Sequence, residues 1–381
     1  MKIPFWAVAD LVTQTASPGG FQVSLEDIVP GAGTLVSGSL SRYSADGTPF
    51  EKGDVLFGKL RPYLAKFWLA DREGVAGGDI HVYRPRKGVD PRYLAYIVGS
   101  RNFLRFAVAA SKGVKMPRVE WMDIRQYGVN GYDERTQRRI ADYLDRETGE
   151  IDAMLSKLDV LAETLNSRRA SVVEWETVAR SEKLTRLKFC ADVSLGKTFQ
   201  GARKSDRDIL LNYVRAASIQ SNGLELDDQR MWMTQEEQRK YDLRKGDILI
   251  VEGGAGFGRS VHLTQDMPGW GFQNHVIRVR PDQCHDGRFL NYCVKGHYSS
   301  GLIGILVDGA TIPGLSSDKA KNLPIPDMSL EEQQGIADHL DDLTGRIDAM
   351  LAKIDELKVL LVERRSALIA DVVTGRKKIP S

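Results

Sequence analysis

Basic side chains cluster in stretches rich in glycine and proline, which the sequence predicts to be loops. Lysine and arginine bind phosphate groups, and arginine also reads the edges of bases through its planar guanidinium. Eight of these side chains are therefore candidates for phosphate or base contacts, with the lysines on phosphates: Lys59, Arg61, Lys112, Lys115, Lys197, Arg203, Lys204 and Arg259. For each residue taken singly, an ordinary solvated surface charge is the alternative.

Glycine-rich stretches in the second half resemble nucleotide-binding motifs but lack their complete patterns. Gly196-Lys197-Thr198 matches the end of a phosphate-binding loop, yet Ala191 stands where that motif requires its first glycine. Gly254, Gly256 and Gly258 are spaced as G-x-G-x-G and not as the dinucleotide pattern G-x-G-x-x-G. We predict no nucleotide site here, and a tight loop close to a partner's backbone at the second stretch.

Metal-binding and catalytic motifs are also incomplete. Cys284, His285, Cys293 and His297 lie close together in sequence, but their spacing matches no common zinc site. The chain contains no G-x-S-x-G, no H-E-x-x-H and no Asn/Asp-Pro-Pro-aromatic tetrapeptide of the kind found in amino-methyltransferases. We predict no metal and no resident cofactor in this chain, whereas the acid pairs of a nuclease stay open, because 51 acidic residues provide many such pairs.

The composition is that of an ordinary soluble protein of two or three domains. The chain has 381 residues, of which 42% are hydrophobic and 27% charged. No apolar run is long enough to span a membrane, and the first residues make a poor signal peptide. Three cysteines are too few for a disulfide framework, so we expect a protein of the reducing cytoplasm.

Charge alternates in sign along the chain. The net charge is +5 for residues 1–130, −3 for 131–180, +2 for 181–328 and −2 for 329–381. The two positive segments favour a polyanionic partner, although ordinary surface charge explains these values equally well.

A long internal repeat organises the sequence. Residues 137–169 and 333–365 align without a gap and are identical at 19 of 33 positions. The chain is therefore built twice, each time as a long divergent segment followed by a conserved one. Conserved frames with divergent segments suggest one scaffold that carries two different recognition surfaces.

Each conserved segment is predicted to form two helices. Thr148-Gly149 and Thr344-Gly345 interrupt the pattern, because glycine disfavours a helix interior and threonine suits an N-cap. The second helix of each copy has apolar residues at heptad spacing, which is typical of a coiled coil. They are Ile151, Met154, Leu158, Leu161, Leu165 and Val172, and then Ile347, Met350, Ile354, Leu357, Leu361 and Leu368. We expect the two copies to pack as an antiparallel coiled coil; an intermolecular coiled coil is the alternative.

The divergent segments are predicted to be mixed α/β and rich in loops. Strands are expected at 54–57, 80–83, 247–251 and 275–279, and helices at 91–99, 101–110 and 287–294. The predicted fold is mixed α/β with an internal pseudo-two-fold repeat. Its domains are residues 1–132 and 181–328, which alternate with helical regions 133–180 and 329–381.

These features together resemble the specificity (S) subunits of type I restriction–modification systems, over essentially the whole chain. The most typical residues are Pro324–Pro326 with Leu330–Ala337, Ile347-Asp348 with the helix to Arg365, Tyr213–Gln220, Gly246–Leu249 and Lys59–Leu64. The first helical region departs from the family, because Asp133–Gln137 stands where a proline-rich lead is usual.

The resemblance implies a non-catalytic DNA-recognition subunit. Each divergent segment would be a target recognition domain that reads half of a split double-stranded DNA site. The helices would set the spacer and dock two methyltransferase (M) subunits. Those M subunits would methylate adenine with S-adenosylmethionine, and endonuclease (R) subunits would cleave DNA with ATP and magnesium.

Three alternatives stay open at this point. The first is the specificity subunit of a related, combined restriction–methylation system. The second is a scaffold protein whose helices bind only protein partners. The third is a stand-alone nucleotide-dependent nuclease that uses Gly196-Lys197-Thr198.

Overall fold

The computed structural model describes residues 1–17, 19–38, 45–220, 223–254, 256–306 and 314–380. It contains two compact units. Unit 1 comprises Met1–Asp159 and Asp355–Ser381, and unit 2 comprises Val160–Ile354. Each unit therefore combines one divergent segment with part of each long helix.

Unit 1 is built on a four-stranded antiparallel sheet in the order β2-β8-β5-β6. Its strands are β1 (Lys2–Pro4), β2 (Ala9–Leu11), β3 (Gln22–Val23), β4 (Thr48–Phe50), β5 (Val55–Gly58), β6 (Phe67–Leu69), β7 (Gly74–Ala76), β8 (Ile80–Pro85) and β9 (Gly128–Asn130). Its helices are α1 (Pro91–Gly99), α2 (Arg101–Ala110), α3 (Trp121–Ile124) and the start of α4 (Glu134–Glu174). A second sheet has the order β3-β7-β4, and β1 pairs with β9.

Unit 2 repeats this arrangement with the sheet order β11-β19-β16-β17. Its strands are β10 (Leu184–Arg186), β11 (Ala191–Leu195), β12 (Ile209–Val214), β13 (Ile219–Gln220), β14 (Gly223–Leu224), β15 (Arg230–Met233), β16 (Ile248–Val251), β17 (Ser260–His262), β18 (Trp270–Phe272), β19 (Val276–Pro281) and β20 (Pro324–Pro326). Its helices are α5 (Gln235–Lys240), α6 (Gly287–Ser299), α7 (Leu302–Leu306), α8 (Ser317–Lys321) and the start of α9 (Leu330–Val373). Smaller sheets have the orders β15-β12-β18, β13-β14 and β10-β20.

Amphipathic helices cover one face of each central sheet. In unit 1, Tyr93 and Leu94 of α1 and Phe103 of α2 are fully buried against Phe5 and Tyr83. In unit 2 the corresponding core contains Ile248, Ile277, Phe289 and both buried cysteines, which are Cys190 and Cys293. The mixed α/β class and the internal repeat predicted from the sequence are confirmed.

The predicted helix breaks at Thr148-Gly149 and Thr344-Gly345 are wrong, since α4 and α9 run through both positions. Each threonine hydroxyl donates to the carbonyl four residues back, to Leu144 from Thr148 and to Leu340 from Thr344. This bond satisfies the hydroxyl inside the helix, so the threonine does not need to act as a cap. Tertiary packing of the helix outweighs the propensity cost of about 1 kcal/mol for one glycine.

The two long helices pack antiparallel within each unit. In unit 1, Asp152 of α4 pairs with Arg365 of α9, and Asp159 of α4 pairs with Lys358 of α9. The residue numbers of the partners therefore fall along α9 as they rise along α4. In unit 2, Arg169 pairs with Asp348. Only part of the predicted apolar heptad seam is buried. Its buried residues include Ile151, Ile347, Ile354, Leu361 and Leu368, whereas its exposed residues are Met154, Leu161, Met350 and Leu357.

A repeated set of hydrogen bonds attaches each α/β segment to a long helix. In unit 1 the buried Gln137 accepts from the Asp90 N–H and donates to the Tyr132 carbonyl, while Asp90 caps α1. In unit 2, Gln333 makes the same bonds with Asp286 and the Met328 carbonyl.

Charged and aromatic side chains extend this attachment at a constant spacing in the two units. Arg92 pairs with Asp142 and Asp145, and the Tyr96 hydroxyl donates to Asp145. Arg288 pairs with Asp338 and Asp341, and the Tyr292 hydroxyl donates to Asp341. The duplicated frame therefore includes the interface between sheet segment and helix as well as the helices themselves.

None of the helices in the described part of the chain combines the length and the apolarity needed to cross a bilayer. The same described residues contain no group of three or more His, Cys, Asp or Glu side chains placed to hold a metal ion.

Candidate nucleic-acid interface

Two segments of unit 1 that are distant in sequence meet at one end of its central sheet. The chain leaves β5 at Gly58, and residues 59–61 then pair with residues 117–119. The Arg61 N–H donates to the Pro117 carbonyl at 2.7 Å, and the Val119 N–H donates to the Lys59 carbonyl at 3.0 Å. Two of the four candidate residues of unit 1, Lys59 and Arg61, lie on the first of these segments.

A short loop beside this junction carries the other two candidate residues of unit 1. Backbone hydrogen bonds of 2.8 and 2.9 Å between Lys112 and Arg118 close the loop 112–118. Lys112 pairs with Asp123 at 3.0 Å, whereas Lys115 is exposed. Val114 and Met116 are exposed on either side of Lys115. The loop thus presents an apolar tip with a central positive charge.

Arg61 and Lys59 complete the positive surface of unit 1. Arg61 is exposed and Lys59 is half-buried. Within the described residues neither side chain has an ion-pair partner, and neither does Lys115. Tyr63, which sequence reasoning did not select, is 56% exposed on the same turn. The only signal for Tyr63, Val114 and Met116 in the sequence was their position inside basic, proline-containing loops.

His81 on β8 is a buried histidine near the positive charges of this surface. Burial, followed by the nearby positive charges of Lys59 and Arg118, lowers the pKa of His81 to about 3. Its Nδ1 lies 3.0 Å from the Tyr83 hydroxyl. The imidazole is therefore neutral at physiological pH, and the positive charge at this end of the sheet belongs to lysine and arginine.

The stability of unit 1 is expected to fall in mild acid because of His81. Between pH 6.5 and about 3 the unfolded chain binds a proton at this residue that the folded chain does not. His81 does not lower the free energy of unfolding above pH 6.5. Below that pH the free energy of unfolding decreases by up to about 1.4 kcal/mol per pH unit because of this residue. Urea unfolding between pH 7.5 and 4.5 should show a shallower dependence for His81→Asn. His339→Asn, at an exposed position, is the control and should keep the wild-type dependence.

The four candidate residues of unit 2 differ in burial and in hydrogen-bond partners. Lys197 is buried, and its Nζ lies 2.5 Å from Glu237 Oε1. Arg203 donates to the carbonyls of Ser205 and Asp206 and lies over the Trp232 ring. Lys204 is exposed. Arg259, half-buried, donates to Gln220 Oε1 at 3.2 Å.

The Gly196-Lys197-Thr198 stretch does not have the structure of a phosphate-binding loop. It follows β11, and the Lys197 N–H and carbonyl bond with Phe272 and Asn274. A methyl group on Gly196 would overlap the Gln273 carbonyl, so this glycine permits close strand packing. The Lys197 ammonium is directed to Glu237 inside the unit, and no helix begins at this stretch.

The turns that follow β5 and β16 share several backbone hydrogen bonds. We call residues 58–66 the first repeat turn and residues 251–259, of which Ala255 lies outside the described residues, the second repeat turn. The Gly58 N–H donates to the Lys66 carbonyl at 2.8 Å, and in the same way the Val251 N–H donates to the Arg259 carbonyl at 2.9 Å. Each turn is also joined to a later segment, by Val119 to Lys59 and by Leu315 to Glu252.

Side chains at equivalent places in the two repeat turns differ in charge. The hydrogen bonds place Glu252 where the first repeat turn has Lys59, and Gly254 where it has Arg61. Arg259 occupies the place of Lys66, whose Nζ donates to the Leu25 carbonyl. One backbone frame therefore presents two chemically different surfaces, one per unit.

Comparison with protein families gives one match. Residues 190–359 match the model of the type I restriction modification DNA specificity domain. Curated relatives include the StySPI specificity subunit of Salmonella potsdam, 26% identical over 175 residues, and the EcoBI specificity subunit of Escherichia coli, 31% identical over 100 residues. These alignments cover 44% and 26% of this chain but only 37% and 20% of the relatives' own lengths.

Comparison with solved structures extends over the whole chain. A structure from a study of complex assembly and conformational transition of the type I R-M system matches with a TM-score of 0.77 and 15% identity, over 99% of this chain and 98% of that one. The HsdS subunit from Thermoanaerobacter tengcongensis matches with a TM-score of 0.56 and 16% identity, over 99% and 97%. At these identities the matches establish a shared fold.

Proposed function

We propose that the chain is the DNA-recognition subunit of a type I restriction–modification complex, a proposal supported by the match of residues 190–359 to the type I specificity domain and by the similarity to curated specificity subunits. In this proposal unit 1 reads one half of a split target and unit 2 reads the other. The long helices set the spacer and dock two methyltransferase subunits. The chain itself performs no chemistry; partner subunits bind S-adenosylmethionine, ATP and magnesium.

The pair of repeat turns is the observation that carries this proposal. Each is joined by an equivalent hydrogen bond to a later segment, yet one holds Lys59 and Arg61 where the other holds Glu252 and Gly254. A duplicated frame with different side chains at the same edge is suited to two different half-sites. A scaffold that binds only protein partners would not require this divergence at equivalent positions.

The DNA surface proposed for unit 1 consists of Lys59 and Arg61 in the first repeat turn, together with the loop 112–118. Lys59 and Lys115 are free to contact phosphates, and Lys112 can do so while it remains near Asp123. The exposed Val114 and Met116 can contact base edges or the sugar backbone.

In unit 2 we propose that Arg203, Lys204 and Arg259 contact DNA and that Lys197 acts indirectly. The bond from Lys197 to Glu237 ties the residues after β11 to α5. The Lys197 ammonium also donates to Gln200 at 3.3 Å, and Gln200 precedes Arg203 by three residues. Lys197 thereby positions the loop that carries Arg203 and Lys204.

An exposed apolar surface on α9 supports the proposal of protein partners. Leu357, Val359, Leu360 and Val362 in unit 1 are all more than 40% exposed. Four neighbouring apolar side chains on a charged helix are a candidate contact for a methyltransferase subunit.

Exchanging one unit's α/β segment is the test of the proposed function. We expect replacement of residues 181–328 by the corresponding segment of another specificity subunit to change one half of the methylated motif and to leave the other half intact. The reciprocal exchange of residues 1–130 should change the opposite half. Adenine methylation mapped across the host genome, with the cognate methyltransferase subunit present, gives the result.

Two results would contradict the proposal. A motif that changes in both halves, or in neither, would contradict the assignment of one half-site to each unit. A complex whose DNA affinity does not fall with salt would contradict phosphate contacts and favour the scaffold alternative.

A further inference from the structure

Two residues of the first repeat turn have a backbone conformation that L-residues avoid. Arg61 has φ 52° and Ala65 has φ 51°, and they are the only residues other than glycine with positive φ in the described part of the chain. In this left-handed region the Cβ atom crowds the backbone, which raises the energy of every residue except glycine. The following Pro62 restricts Arg61 further.

The second repeat turn solves the same geometric problem with glycine. Gly254 has φ 84° and Gly258 has φ 77° at the places equivalent to Arg61 and Ala65. The turn therefore requires left-handed residues at both places but requires no side chain at either. An arginine at the first place is a cost that the fold of the turn does not explain.

Contacts inside the protein do not explain the arginine either. Its N–H donates to Pro117 and its carbonyl accepts from Leu64, so the backbone is satisfied. The guanidinium is exposed and has no hydrogen-bond or ion-pair partner among the described residues. Lys59 and Lys115 lie on the segments joined at Arg61, and both carry the same sign of charge, so neither can pair with the guanidinium.

We infer that Arg61 is a specificity-determining residue that reads a guanine in the half-site of unit 1. This inference rests on the proposed function. Strain persists at positions where a side chain must be aimed. A phosphate contact needs only a flexible positive charge, whereas two parallel bonds to guanine O6 and N7 need a guanidinium in a fixed direction. Backbone bonds to Pro117 and Leu64 supply that rigidity.

Three variants of the full chain, each with its methyltransferase partner, test the inference. Arg61→Lys keeps the charge and removes the planar fork. Arg61→Gly reproduces the residue of the second repeat turn and relieves the strain. Ala65→Gly is the matched control, because it relieves the same strain without removing a functional group. Each complex methylates a plasmid library in which every position of both half-sites is randomised, and the unfolding temperature of each chain is measured.

We expect both Arg61 variants to lose preference for guanine at one position of one half-site, by about 5- to 150-fold, with the other half unchanged. The salt dependence of binding should be the same for Arg61→Lys and wild type. Arg61→Gly and Ala65→Gly should each raise the unfolding temperature by about 1–3 °C, and Ala65→Gly should keep the full preference.

Retained preference in Arg61→Lys, or a loss at an A·T pair, would overturn the assignment to guanine. A lower unfolding temperature in both glycine variants would overturn the role of strain. A wild-type complex that methylates no split motif would instead contradict the proposed function, and with it this inference. An intact motif with unchanged preference in the Arg61 variants contradicts the inference alone.

Discussion

Replacing Arg280 by methionine is expected to destabilise unit 2 by about 3–5 kcal/mol. Asp247 is 1% exposed and receives two hydrogen bonds of 2.7 Å from the Arg280 guanidinium. Without them the one donor that remains among the described residues is the Arg244 N–H at 2.8 Å. One hydrogen-bond donor does not offset the desolvation cost of a buried carboxylate. The loss in the free energy of unfolding should therefore exceed the net contribution of the ion pair itself. Burial, followed by the nearby charge of Arg280, lowers the pKa of Arg278, and removal of the Arg280 charge favours the lower end of the range.

Hydrogen exchange of the full chain, with urea unfolding, measures this effect. Protection should decrease in β16 and β19 and remain unchanged in unit 1, whose sheet has its own pair, Asp54 with Arg84. The double variant Arg280→Met with Asp247→Asn is the control and should recover part of the loss, because it removes the uncompensated charge. Equal destabilisation by the single and double variants would show that lost packing, and not the charge, is responsible.

The same carboxylate–arginine pair in both units shows what the sequence could and could not reveal. Gly53-Asp54-Val55-Leu56 and Gly246-Asp247-Ile248-Leu249 are similar in sequence, and strands were predicted at 54–57 and 247–251. The partners Arg84 and Arg280 lie 30 and 33 residues further along the chain. Their role depends on the register of β5 with β8 and of β16 with β19, which periodicity alone does not give.

Local helical patterns were the most predictable part of the fold. The expected bounds of α1 and α2 agree with the structure, because Asp90 and Ser100 cap both helices and the apolar spacing is regular. The break expected at Thr148 failed for a tertiary reason. Its hydroxyl bonds within the helix to Leu144 and lies 3.3 Å from the Tyr96 hydroxyl, a residue 52 positions away.

Candidate binding residues were less predictable than the frame that carries them. Burial separates Lys197 from the exposed Lys204, although both lie in one basic stretch, because Glu237 is brought to Lys197 from 40 residues away. The equivalence of Arg61 with Gly254 was also hidden, because the two turns share little sequence and only their hydrogen bonds align them.

Shortening both long helices by one heptad is expected to shorten the spacer between the half-sites. Helices α4 and α9 have 41 and 44 residues, and each contributes to both units. Deleting residues 162–168 together with 349–355 removes about 10 Å of helix from each, at about 1.5 Å per residue. The deletion preserves the ion pairs of Asp152, Asp159 and Arg169 with their partners on α9, together with the heptad phase.

The methylated motif of the shortened protein should keep both half-sites and have a spacer shorter by up to about three base pairs, at roughly 3.4 Å each. Deleting residues 162–168 alone is the matched control. It shifts α4 by seven residues against α9, so the pairs of Asp152 and Arg169 can no longer both form. This variant should lose methylation altogether. If the helices set the distance between the half-sites, removing one heptad from both must change that distance, because the rise per residue is fixed. A double deletion that methylates the original motif with an unchanged spacer would therefore show that the helices do not set it.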